Sequence, residues 1–305
     1  MSLRFEGTYT AIITPFRDGP TDAERTIDWE AYDRLVQAQI EGGISGIVPC
    51  GTTGESPTLD HEEQLELVKR TVKLCAKTAG KCIVLAGTGT NSTRGTIAFS
   101  QAAERAGADA VMVVVPYYNK PTQDALRAHY VAVAQSVKCP VVVYNIPGRS
   151  GIDLTADTLA KIAEAAPNVT CTKEATGNVV RAMEIARLMG DRMTILSGDD
   201  SLTLPMIAVG ARGVISVTSN VYPAEVTRAT RLALDGKLDE ARRAHLALCS
   251  VHEAMFVEAN PSPAKAAVAH KMKISDAVRG PLLRISEGAR AKVIAALEAY
   301  EAARG

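Results

Sequence analysis

Val169-Thr170-Cys171-Thr172-Lys173 reads as a strand that ends in a lysine. A strand in a parallel sheet is buried on both faces and is expected to be apolar along its length. A lysine at its end snorkels to solvent, pairs with the adjacent Glu174, or is held for chemistry. At the C-terminal edge of a barrel strand, a partly desolvated lysine is a candidate Schiff-base nucleophile. Seven further β-rich runs lie around it, at 8–14, 46–50, 82–86, 110–115, 141–145, 193–197 and 213–217. The segments between them carry apolar residues at helical spacing, such as Leu65, Val68 and Val72, or Leu159 and Ile162. Eight β-then-α units in a row predict an α/β fold, a closed (βα)8 TIM barrel.

Arg105-Ala106-Gly107-Ala108-Asp109-Ala110 and Gly210-Ala211-Arg212-Gly213 read as tight links feeding strands four and eight. An open doubly wound sheet is the alternative. It needs a glycine-rich phosphate loop, and neither Gly51-Thr52-Thr53-Gly54 nor Gly87-Thr88-Gly89 completes that fingerprint. The barrel is expected to be complete near Thr218, giving a catalytic barrel over 1–222 and a C-terminal helical extension over 223–305. Within the extension, Ser262-Pro263 reads as an N-cap followed by proline at the first helical position.

With 305 residues, 47% of them hydrophobic, the chain has enough apolar mass for one large barrel core. The 34 Lys plus Arg balance the 34 Asp plus Glu, so nothing favours nucleic acid as a partner. Met1-Ser2-Leu3-Arg4-Phe5-Glu6-Gly7 lacks the apolar stretch of a leader, and no run has the length to span a membrane. Cys82, Cys139 and Cys171 lie in apolar runs, as expected of buried free thiols in a reducing cytoplasm. The five histidines show no metal-ligand spacing, and His245 and His252 are expected on a helix surface or in the core. Neither a metal nor a cofactor is expected.

Barrel chemistry sits at the C-terminal ends of the strands. After strand two, Cys50-Gly51-Thr52-Thr53-Gly54-Glu55-Ser56 offers close backbone approach, two hydroxyls and peptide N–H groups, either a small carboxylate nest or an ordinary capped turn. Strand four leads into Pro116-Tyr117-Tyr118-Asn119, and strand five into Tyr144-Asn145-Ile146-Pro147-Gly148-Arg149. Tyr144 falls one strand from Lys173, where a phenol can shuttle protons during imine formation. Arg149 offers a two-pronged fork for a carboxylate, or a surface ion pair. Together these groups suit a keto acid captured as an imine, whose enamine attacks an aldehyde.

These strings, with Thr172-Lys173-Glu174-Ala175-Thr176-Gly177, Ser197-Gly198-Asp199-Asp200 and Asn260-Pro261-Ser262-Pro263-Ala264-Lys265, resemble the 4-hydroxy-tetrahydrodipicolinate synthase (dihydrodipicolinate synthase) family. The resemblance runs from about Gly7 to about Leu282. It implies a lyase of lysine and diaminopimelate biosynthesis that condenses pyruvate, held as a Schiff base on Lys173, with aspartate 4-semialdehyde. Tyr144, Thr52 and Tyr118 match the family's proton relay, with Tyr118 lent across a dimer contact. Thr53 matches the residue whose N–H holds pyruvate's carboxylate. Arg149 matches the arginine for the second carboxylate. Gly198 matches a substrate-binding position, and Ile215 one with a backbone carbonyl facing the reaction. A cytoplasmic homotetramer, a dimer of dimers, is the implied assembly. Related aldolases and lyases acting on keto-deoxy sugar acids or N-acetylneuraminate are the alternative; Arg149 favours the synthase, because a sugar chain calls for hydroxyl partners.

In many bacterial members of that family, lysine inhibits at the dimer interface. The matching positions here include Ser56, His61, Asn91 and Tyr117. Three others depart from the lysine-sensitive pattern: Pro57 replaces a small alanine, Gln64 a histidine, and Gly95 the glutamate that grips the effector's ammonium. Weak feedback inhibition is the expectation.

Overall fold

The computed structural model describes residues 3–78 and 82–304; Met1 and Ser2, the first residues of the run read for a leader, lie outside them. Eight parallel strands close into one barrel in chain order. They are β1 Gly7–Ala11, β2 Gly46–Val48, β3 Ile83–Gly87, β4 Ala110–Val114, β5 Val141–Asn145, β6 Val169–Glu174, β7 Thr194–Ser197 and β8 Gly213–Ser216. The alternative open sheet is thereby excluded, since β1 pairs with both β2 and β8.

Between the strands run α1 Trp29–Glu41, α2 His61–Cys75, α3 Thr93–Arg105, α4 Gln123–Gln135, α5 Pro147–Ser150, α6 Ala156–Ala165, α7 Val179–Met189 and α8 Thr203–Ala208. Then follow α9 Pro223–Leu234, α10 Leu238–Ala254, α11 Ser262–Met272 and α12 Glu287–Ala302. Helix starts are fixed by short polar side chains. Asp60 accepts from Glu63 N–H while the Glu63 carboxylate accepts from Asp60 N–H, a reciprocal cap at α2 worth about 1 kcal/mol. Packing of α9 against β1 closes the ring of helices outside the barrel.

Alternation along each strand separates two cores. Inward residues Ala110, Met112, Val142, Tyr144, Cys171, Leu196 and Ile215 fill the lumen with Tyr9 and Phe5. Outward residues Val111, Val113, Val141 and Val143 pack beneath the helices, in a cluster that also takes Val251, Ala267, Val293 and Leu297 from the C-terminal helices. Both faces being buried, β4 and β5 up to Tyr144 read as unbroken apolar runs. Lys173 shares its parity with Cys171, so it points into the mouth of the lumen.

Most strand ends shift by one to three residues from the sequence reading, and two boundaries differ for a visible reason. The first strand stops at Ala11 rather than residue 14, because a side chain takes over its ladder. Asn220 Oδ1 accepts from Ile13 N–H (3.0 Å) and its Nδ2 donates to the Ala11 carbonyl (2.8 Å). Ser262 is not the N-cap of α11 but its first residue, and its hydroxyl donates to the Leu283 carbonyl (2.8 Å). The glycine links hold for steric reasons. At Gly213, φ is 153° and an added Cβ would lie 1.9 Å from the Gly7 carbonyl oxygen, so no other residue fits that strand start.

All six cysteines are free; Cys82 and Cys171 are buried and Cys139 is half-buried. His245 and His252 are buried in the core; His245 Nε2–H donates to the Ser201 carbonyl, and His252 Nδ1 shares a hydrogen bond with the Thr218 hydroxyl. Among the described residues no helix is long and apolar enough to cross a membrane.

Candidate active site

The β5–β6 register sets Tyr144 directly beside Lys173. Both are buried, and Lys173 Nζ lies 4.1 Å from the centroid of the Tyr144 ring. Glu174, the next residue, faces the opposite side of the sheet, where its carboxylate accepts from Thr176 N–H (2.7 Å) and burial raises its pKa. Among the described residues no carboxylate pairs with Lys173. The amine therefore neither snorkels out nor forms an ion pair; it lies against a phenol at the barrel mouth.

The Thr52–Thr53 loop is shaped by its own hydrogen bonds. Gly54 and Ser56 N–H donate to the Gly51 carbonyl (3.0 and 3.3 Å), and Glu55 N–H donates to Thr52 (3.1 Å). Thr14 Oγ1 donates to the Gly54 carbonyl (2.7 Å). Among the described residues the Thr52 and Thr53 N–H groups find no partner, which leaves two adjacent donors for an anion. Cys50 and Glu55 both stand at φ 57°, in the left-handed region, which non-glycine residues enter where surrounding contacts hold them.

Arg149 projects from the one-turn α5, exposed, with Nη2 donating to the Asn260 carbonyl (3.3 Å). The amide of the same Asn260 donates to Thr53 Oγ1 (3.0 Å). One residue of the C-terminal region thus ties together the two groups read as carboxylate binders. Gly198 follows β7 and donates its N–H to the Glu174 carbonyl (2.7 Å); a Cβ there would meet Ala175 at 2.5 Å. Ile215 is buried in the lumen, paired with Tyr9. Asp200 holds the end of β8 beyond it, accepting from Val217 and Thr218 N–H (2.8 and 3.1 Å).

A cavity of about 630 Å³ is lined by Thr52 and Arg149 together with Ser56, His61, Gln64 and Tyr117. A narrower cavity shares Thr52 and Ser56 and is walled by Tyr144. The groups read as catalytic and as effector-binding therefore border neighbouring space. Asn91 lines neither cavity; its carbonyl accepts from the Asn119 amide (2.9 Å). Tyr118 is not gathered into the site of its own chain. It is 88% exposed, at φ 74°, with its N–H bonded to the Ser150 carbonyl.

Three residues were quoted in motifs but given no role from sequence: Asn260, Glu55 and Lys265. Lys265 is fully buried within α11, ion-paired to Glu55, donating to the Ala277 carbonyl (2.7 Å) and 4.0 Å from the centroid of the Phe16 ring. Burial pushes its ammonium down to about 8, against the pull of Glu55. The available signal was one lysine in the otherwise apolar Pro263-Ala264-Lys265-Ala266-Ala267-Val268.

The dihydrodipicolinate synthetase family model matches residues 4–300. A 4-hydroxy-tetrahydrodipicolinate synthase from Sorangium cellulosum is 53% identical over 99% of this chain and 98% of its own length. One from Geobacter sulfurreducens is 46% identical over 97% and 99%. The solved structure of the synthase from Methylacidiphilum fumariolicum superposes with a TM-score of 0.93 at 42% identity, covering 98% of this chain and 97% of that one.

Proposed function

The chain belongs to the dihydrodipicolinate synthetase family, and from that premise we propose how its strand ends carry out the family's reaction. The protein is a Schiff-base-forming lyase of lysine and diaminopimelate biosynthesis, condensing pyruvate with aspartate 4-semialdehyde. Lys173 is the nucleophile. Its Nζ attacks C2 of pyruvate, and the carbonyl oxygen leaves as water once protonated. The resulting iminium is an electron sink, so a methyl proton is lost and an enamine forms. The enamine carbon attacks the aldehyde carbon of the semialdehyde. The amine of that substrate then displaces Lys173 from the imine carbon, closing the ring and freeing the enzyme.

Tyr144 and Thr52 carry protons into and out of this sequence, completed by Tyr118 from a second copy of the chain. The Thr53 N–H holds pyruvate's carboxylate and Arg149 that of the semialdehyde, while Gly198 and the Ile215 carbonyl border the reacting carbon. An exposed Tyr118 held in left-handed backbone supports its loan to a neighbour, and we extend this to a homotetramer built from two such dimers, in the cytoplasm. The catalytic groups fall within 1–222, and the helical region 223–305 braces them. Ser56, His61, Asn91 and Tyr117 form a weak effector site.

The observation that carries the roles is the Tyr144–Lys173 register, with the amine 4.1 Å from the ring centroid. Borohydride reduction in the presence of pyruvate should fix one adduct on Lys173, read by peptide mass mapping. An adduct on another lysine would overturn the assignment.

A further inference from the structure

We propose that Glu55 and Lys265 are positioning residues for pyruvate: from behind, they fix the loop that turns the Thr53 N–H toward the substrate's carboxylate. The inference rests on the reading of Thr53 given above and adds what holds that group in place.

A nest of two peptide donors works only while both N–H groups converge, which is a property of backbone dihedrals. Here the loop is held at Cys50 and Glu55 in a conformation that such residues rarely adopt. Its internal hydrogen bonds close the turn, and neutral groups reach it from outside: the Thr14 hydroxyl at the Gly54 carbonyl, the Asn260 amide at Thr53 Oγ1 and the Gln64 amide at the Ser56 carbonyl. The charged grip is the Glu55 carboxylate. One oxygen meets the Lys265 ammonium, and the other accepts from Arg279 N–H (3.1 Å), 224 residues along the chain. The Arg279 guanidinium in turn takes both oxygens of Glu63 at 2.6 Å, tying the grip to the start of α2.

Lys265 is fully buried and borders none of the cavities described above. It therefore has no route to substrate and acts only through Glu55. A desolvated ammonium persists where fixed acceptors answer it, and these are Glu55 and the Ala277 carbonyl. Loss of either charge releases the carboxylate that pins Glu55 in its left-handed turn. The Thr53 N–H, two residues earlier, then loses its aim.

The test compares Glu55→Gln, Lys265→Met and the double variant with the wild type. Each single variant should raise KM for pyruvate about tenfold, the loss of one well-aimed charge-assisted hydrogen bond. The KM for the semialdehyde and kcat at saturation should stay within about threefold. In the double variant no charge is left alone, so thermal stability should recover while KM for pyruvate stays high. Return of that KM to the wild-type value would show a purely structural pair and overturn the inference, as would an unchanged KM in both single variants. If Lys265→Met does not fold, Glu55→Gln, which keeps the side chain's shape, and the double variant decide the matter. Borohydride mapping of the wild type separates the two levels. An adduct on Lys173 with unaltered KM in the variants sinks this inference alone; an adduct elsewhere sinks the site assignment with it.

Discussion

Lys173 at the end of β6 and Lys265 inside α11 are both buried, yet their surroundings differ in kind. Lys265 is surrounded by answers to its charge: a carboxylate, a carbonyl and a ring face. Lys173 has a phenol ring and no paired carboxylate among the described residues. A carboxylate partner fixes an amine in one place, whereas an amine that is to bond a substrate carbon must be free of such a partner. The difference between the regions separates a lysine kept for bonding from one kept for structure.

Exchanging each lysine for methionine tests that contrast most severely. Lys173→Met should cut the condensation rate on the order of 10⁴-fold or more, yet change unfolding free energy by less than about 1.5 kcal/mol, since volume is kept and no pair is broken. Lys265→Met should do the reverse. Stranding the Glu55 carboxylate is expected to cost about 3–5 kcal/mol in urea unfolding, with turnover at saturation largely kept. Equal stability losses in the two variants would erase the distinction.

The phenols extend the comparison from the buried Tyr144 to the exposed Tyr118. Tyr118→Phe should lower activity about 10²-fold with assembly unchanged by sedimentation. Mixed with inactive Lys173→Ala subunits, it should regain part of the activity, because one site of a hybrid dimer holds both missing groups. Verified hybrids without recovery would place the full relay within one chain.

Arg149→Ala sharpens the division between the two carboxylate sites. It should raise KM for the semialdehyde about ten- to a hundredfold, one lost charge-assisted contact, and leave pyruvate trapping on Lys173 intact. Loss of trapping in a folded variant would mean that Arg149 serves the first substrate.

The smallest effect concerns lysine as effector. Gly95 offers no side chain, and an added Cβ there would crowd Thr90 Oγ1 at 3.3 Å. Gln64 is already occupied, its amide donating to the Ser56 carbonyl (2.8 Å). Initial rates at saturating pyruvate should therefore respond little to L-lysine until the millimolar range. Strong inhibition below it would mean that another carboxylate, such as the cavity-lining Asp60, grips the ammonium.

What the sequence made legible was local. Apolar runs announced the strands, and a lysine ending one of them announced a candidate nucleophile, because period-two alternation decides which way Lys173 points. Contacts made across the chain were not legible. The ladder of β1 ends early through Asn220, and the backing of the Thr53 loop comes from Asn260, Lys265 and Arg279. No spacing rule links residues so far apart, so their motif could be quoted without revealing what it touches. For Tyr118 a role was suggested only by family likeness, since its own chain leaves it in solvent.

The Asn260 amide reaches Thr53 across 207 residues of chain. During synthesis at roughly 5–20 residues per second, that interval lasts about 10–40 s. Late in it, once β8 is complete at Ser216, a growing polypeptide carries all eight strands and Lys173 while the loop proposed to receive pyruvate still lacks its lock. Ribosome-bound chains stalled before residue 260 should therefore be catalytically silent, and competence arrives with the stretch from residue 260 to residue 305 rather than with closure of the barrel.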